Sequence, residues 1–105
     1  MNDEKIATWR ARVEAAPDDE LARFTLGRAC FEAGRLDDAA SAFEEAVRMK
    51  ADWMMAWVYL GRARLERDDA EGAREALTRA RALAVDQGHD DPIVEIDELL
   101  EEADA

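Results

Sequence analysis

Apolar residues fall along this chain in short stripes at helical spacing, interrupted by glycine, proline or paired acids. Phe24, Leu26, Ala29 and Cys30 form one stripe, and Gly34 in EAGR is predicted to end its helix in a left-handed turn. Ala39, Ala42, Phe43, Ala46 and Val47 are spaced by threes and fours and predict a second helix, with Asp37 and Asp38 accepting bonds from its first-turn amides. A further pair follows. Val58, Leu60 and Ala63 mark its first helix, and Ala73, Leu77 and Ala80 its second, which Asp68 and Asp69 are predicted to cap. Gly72 weakens that helix by up to about 1 kcal/mol relative to alanine. At the ends, Ile6, Trp9 and Val13 make a one-sided stripe, while Asp91-Pro92 reads as a capped start with proline at the first helical position. Ile93, Ile96, Leu100 and Ala103 share one face of that last helix, and acids near its end oppose its dipole, so fraying is expected beyond Leu100.

The two pairs repeat each other. Phe24, Leu26, Gly27, Arg28, Ala29, Ala39 and Ala46 meet Val58, Leu60, Gly61, Arg62, Ala63, Ala73 and Ala80, each at an offset of 34 residues. The same offset links Phe43 to Leu77 and, backwards, to Trp9, and Val47 to Val13. A period in this range marks stacked supersecondary units that cannot bury their apolar faces alone. High helix propensity explains abundant alanine but not glycines and alanines recurring at one offset, so Gly27 and Gly61 are expected where two antiparallel helices approach closely.

"LGRACFEAGRLDDAASAFEEAV" and "LGRARLERDDAEGAREALTRAR" resemble successive tetratricopeptide repeats. Trp57, Leu60, Gly61, Ala73, Leu77 and Ala80 match the family pattern in one unit, and Leu26, Gly27, Ala39, Phe43 and Ala46 in the other. Arg23 stands in place of a tryptophan, Cys30 and Arg64 in place of tyrosines, and Ala51 and Val85 where a proline closes a unit, which only Pro17 keeps. The resemblance implies an all-α, right-handed helical-hairpin solenoid of about two and a half repeats with a C-terminal capping helix. The expected single domain, 1–105, comprises a half-repeat helix at 3–16, repeats at 20–53 and 54–87, and the cap at 91–103.

Charge narrows the partners. Asp and Glu number 26 against 14 Lys and Arg, a net charge of -12, which opposes binding to nucleic acid and to anionic membrane surfaces. Residues 90–105 hold eight acids and no base, so the rest of the chain is nearly balanced. No stretch reads as a signal peptide or membrane span, and a lone cysteine agrees with a reducing compartment, so a cytoplasmic protein is expected.

Catalytic chemistry finds no foothold in the pattern. His89 is the one histidine and sits in a hydrophilic QGHDD loop; Cys30 lacks a clearly placed basic neighbour; Asp86, Asp90 and Asp91 lack calcium-loop spacing. No phosphate-binding or dinucleotide motif is present. No enzyme activity, cofactor or metal is expected.

The resemblance implies that the first helix of each pair lines a concave groove that takes a peptide or helix of another protein. Phe24, Arg28, Phe31, Met55, Val58 and Arg62 are the expected contacts. Arg28 and Arg62 each precede a glutamate, Glu32 and Glu66, by four residues. Such exposed helix pairs are worth about 0.2–0.5 kcal/mol, whereas a charge-assisted bond to an incoming carboxylate is worth about 1.5–3 kcal/mol, so an acidic-apolar partner could displace them. "KADWMMAW", residues 50–57, spans the turn between the units, with Asp52 predicted as N-cap and Trp57 as core. Trp53 either staples that turn or offers a further partner contact. The alternative function is self-association into a dimer or larger assembly through Trp53 or the terminal helix.

Overall fold

The computed structural model describes residues 2–105, and its described residues form six α-helices: α1 Asn2–Ala15, α2 Glu20–Glu32, α3 Leu36–Met49, α4 Met54–Glu66, α5 Ala70–Asp86 and α6 Asp91–Asp104. They divide into two compact units, one ending at Ala51 and holding α1 to α3, the other Asp52–Ala105 holding α4 to α6.

Within the first unit α2 packs on both α1 and α3. Gly27 sets how close α2 and α3 come: a Cβ built there would lie 2.6 Å from Phe43 Cε1. With no side chain in the way, the fully buried Phe43 ring lies against the α2 backbone and meets Phe24 at 5.7 Å between centroids. The second unit repeats the device. A Cβ on Gly61 would lie 2.5 Å from Leu77 Cγ, and Leu77 joins Met54, Val58, Ala73, Ala80, Ala84 and Ile96 in the core of that unit. The recurrent glycines are therefore contact points of paired helices, as their common offset predicts.

The turns repeat as well. Gly34 has φ 77°, and Arg35 N donates to Cys30 O at 2.9 Å, closing the C-terminal turn of α2. Asp68 takes the same left-handed role after α4, with φ 62°, and Asp69 N donates to Arg64 O at 2.9 Å. Aspartate tolerates this region better than most residues, which is why a glycine can be absent there. Asp68 thus belongs to the end of α4, not to the cap of α5. Asp69 alone caps α5, its carboxylate accepting from Gly72 N at 2.9 Å. A Cβ on Gly72 would strike that carboxylate at 2.2 Å, so the glycine that weakens α5 also makes room for its cap.

Other expected caps shift. Arg35 occupies the N-cap of α3 without a side-chain bond, and Asp37 and Asp38 fall inside the first turn, where they favour the helix dipole instead. Trp53, not Asp52, is the N-cap residue of α4. Asp52 instead presents its carbonyl to Gln87 Nε2 at 2.9 Å, tying the end of α5 to the start of α4. In α6 Pro92 is the second helical residue, and the helix continues past Leu100 to Asp104. Arg74 holds that end, donating from Nε to Asp104 Oδ1 at 2.7 Å, while Ala103 is buried. Arg81 pairs with Asp97 in the same way at 2.7 Å. These ion pairs give two of the terminal acids structural partners on α5.

Candidate functional site

The first helix of each pair carries the expected contact residues, and their burial divides them. Phe24 is 8% exposed and Val58 1% exposed, because Phe24 leans onto Phe43 and Val58 onto Ala73 and Leu77. Both are core residues and back the face from beneath. Arg28 is exposed and Phe31 half-buried on α2, while Met55 is 36% exposed and Arg62 half-buried on α4. The Arg62 guanidinium lies 5.1 Å from the centroid of Tyr59, one turn earlier. Glu32, the residue expected to pair with Arg28, meets Lys5 Nζ of α1 at 3.6 Å.

The same face carries a further apolar side chain, as the spacing along α2 predicts. Leu21 is 60% exposed at the start of α2 and stands at the register position of Met55. Each first helix thus shows an exposed apolar side chain and, seven residues later on the same side, a guanidinium: Leu21 with Arg28, Met55 with Arg62.

Around α2 the first unit forms a cleft of about 170 Å³ lined by Lys5, Trp9, Thr25, Arg28, Ala29 and Glu32. Trp9 is half-buried, and the Arg12 guanidinium lies 4.8 Å from its centroid. In the second unit Trp57, half-buried against the core, faces a shallow depression with Glu75, Thr78, Arg79 and Ala82, the Arg79 guanidinium 5.9 Å from its ring. Trp53 is half-buried, and its carbonyl accepts from Ala56 N and Trp57 N at 3.1 and 3.3 Å. That places it as a turn residue of α4.

Cys30 is buried, and its thiol is pushed up from its ordinary pKa, first by burial and then by the Asp38 carboxylate, with Arg10 and Arg35 opposing. A thiol held protonated is a poor nucleophile. Among the described residues no group of three or more His, Cys, Asp or Glu side chains is placed to hold a metal ion, and no helix is long and apolar enough to cross a membrane.

A family model for the tetratricopeptide repeat matches residues 6–53 and 37–88, more than half of the chain. The chain belongs to the tetratricopeptide repeat family. It is 34% identical over 71 residues to a TPR repeat-containing protein of Pseudomonas aeruginosa, covering 68% of each chain. Among solved structures it is similar to PcrH, a Pseudomonas aeruginosa protein, in complex with the chaperone binding region of PopD. The TM-score is 0.89 at 20% identity, over 97% of this chain and 77% of that one. It is also similar to the TPR2B domain of yeast Sti1 in complex with pHsp70, with a TM-score of 0.87 at 18% identity, covering 94% and 79%. At these identities the structural likeness establishes the fold, an all-α repeat of helical hairpins.

Proposed function

We propose that this tetratricopeptide protein is a non-catalytic interaction module that binds a peptide or helix of another protein through the exposed sides of α2 and α4. The observation that carries this reading is the matched pair on each first helix, Leu21 with Arg28 and Met55 with Arg62. An exposed large apolar residue is unremarkable singly, but the same combination at the same register in both pairs is a surface feature repeated with the fold. Phe31 extends the apolar part on α2. A carboxylate on the partner would gain charge-assisted bonds from the guanidiniums, while its apolar side chains cover Leu21 and Met55. The partner complexes of PcrH and Sti1, named for PopD and pHsp70, support a protein segment as the ligand class.

Affinity capture from a lysate with the wild-type protein and an Arg28→Ala, Arg62→Ala, Met55→Ser variant, read by mass spectrometry, tests this. Specific proteins retained by the wild type and lost from the variant are expected; identical retention removes these residues from the account. Mass measurement over a concentration range runs alongside. A dimer that resists salt and is lost in Trp53→Ser would replace this reading with self-association.

A further inference from the structure

The 34-residue register assigns α1 the role of a second helix, yet the positions that correspond to the inner alanines of α3 differ from them in kind. Where α3 has the buried alanines Ala39 and Ala46 on either side of Phe43, α1 has Lys5 and Arg12 on either side of Trp9. Alanines admit a neighbouring backbone; long cationic side chains exclude it and keep the face solvated. What results is an aromatic ring bordered by cations, beside a cleft that Lys5, Trp9, Thr25, Arg28, Ala29 and Glu32 line. At about 170 Å³ the cleft matches one inserted side chain, since a cavity of roughly 150 Å³ holds a benzene ring.

Resting on the interaction-module reading above, we propose that this cleft receives an acidic-apolar segment of the partner protein, a carboxylate seated between Lys5 and Arg28 and an apolar side chain against Trp9. Charge complementarity selects this occupant. Lys5 and Arg28 line the cleft beside Trp9, the Arg12 guanidinium lies 4.8 Å from the ring centroid, and Glu32 is the one acid among the lining residues. Eight of the protein's acids lie in residues 90–105, so residues 1–89 hold only -4 of the net charge of -12. Glu32 and Lys5 form an exposed pair at 3.6 Å, a contact of the kind that contributes little by itself and yields to a better-placed carboxylate.

The test is calorimetric titration of the full chain with three synthetic peptides: one alternating Glu or Asp with Leu or Met, one with Lys replacing the acids, and one with Ser replacing the apolar residues. Only the first is expected to bind measurably, and more weakly as salt rises. Lys5→Ala and Trp9→Leu should each weaken it about tenfold or more. Glu32→Gln should tighten binding severalfold, a gain that a merely structural role would not produce. Circular dichroism melts identify any variant that unfolds, and Lys5→Ala, altering an exposed side chain, carries the test if Trp9→Leu does not fold. Binding that depends on Arg62 and Met55 but is indifferent to Lys5, Trp9 and Glu32 would overturn the cleft while leaving the interaction module standing. Equal binding of the Lys-substituted peptide, or no binding of the acidic-apolar one, would overturn the proposed occupant, whereas loss of the module itself shows only in the capture experiment.

Discussion

The hairpin of α2 and α3 and the hairpin of α4 and α5 follow one plan, yet they fill three corresponding places with different chemistry. Gly27 meets the Phe43 ring edge, whereas Gly61 meets the branch carbon of Leu77. Arg35 and Asp38 open α3, whereas Asp69 and Gly72 open α5. Cys30 fills the inner side of α2 as a buried thiol; Arg64, its counterpart, donates from Nη1 to Gly72 O at 3.0 Å. The difference shows which features the fold requires and which it merely needs filled. The small residue at the crossing and the left-handed turn are kept in both, Gly34 being answered by Asp68. Filler, cap and inner side chain are each solved locally.

The crossing point offers the largest effect. Gly61→Ala and Gly27→Ala should each destabilise by about 1–3 kcal/mol through overpacking, net of the helix propensity alanine contributes. Gly61→Ala should cost more, because a new Cβ strikes the Cγ of Leu77, which moves only with χ1 or the backbone, whereas the Phe43 ring can tilt. Chemical denaturation of single and double variants checks this: Gly61→Ala with Leu77→Ala should destabilise less than the sum of the two, since the shorter side chain relieves the clash. Strict additivity would mean that the glycine is not a packing device.

The helix starts give a smaller effect in which sign is the informative quantity. Gly72→Ala gains up to about 1 kcal/mol of helix propensity, but the Cβ displaces the Asp69 carboxylate, and losing a cap costs about 0.5–2 kcal/mol. A net loss of a few tenths to about 1 kcal/mol is expected in thermal or urea melts. In an Asp69→Ala background the same change should become stabilising, because no capping carboxylate remains to be displaced.

Much of this was legible in advance. The paired helices, their crossing glycines and the Gly34 turn followed from the 34-residue offset and from elementary turn chemistry. Side-chain assignments at helix ends were less so. Asp37, Asp38, Asp52 and Asp68 were each expected to cap, yet Asp69 is the capping acid at these junctions, because the position of an acid relative to the left-handed residue decides its role, and a shift of one residue changes it. The candidate face divided for a similar reason. Periodicity puts Phe24 and Val58 near Arg28 and Arg62, but packing against the second helix of each hairpin turns both into the core. The Trp9 cleft was visible in principle as the replacement of Ala39 and Ala46 by Lys5 and Arg12 at one register, a signal that matching similar residues passes over and matching dissimilar ones finds.

The third place separates the hairpins by pH. Burial and the Asp38 carboxylate raise the Cys30 pKa above that of an unfolded thiol, so as pH rises past about 8.5 the unfolded chain releases its proton first. The unfolded state then binds fewer protons than the folded one, and stability must fall with pH, by at most about 1.4 kcal/mol per unit for this single group. The contribution is fully present below the ordinary thiol range and is lost as pH climbs towards the folded value. Denaturation curves measured from neutral to alkaline pH should therefore decline more steeply for the wild type than for Cys30→Ala. Asp38→Asn, by removing one cause of the shift, should fall between them. The corresponding place in the second hairpin holds Arg64 and no thiol, and a Cys30→Ala curve parallel to the wild type would show that the Cys30 thiol is not held protonated by its surroundings.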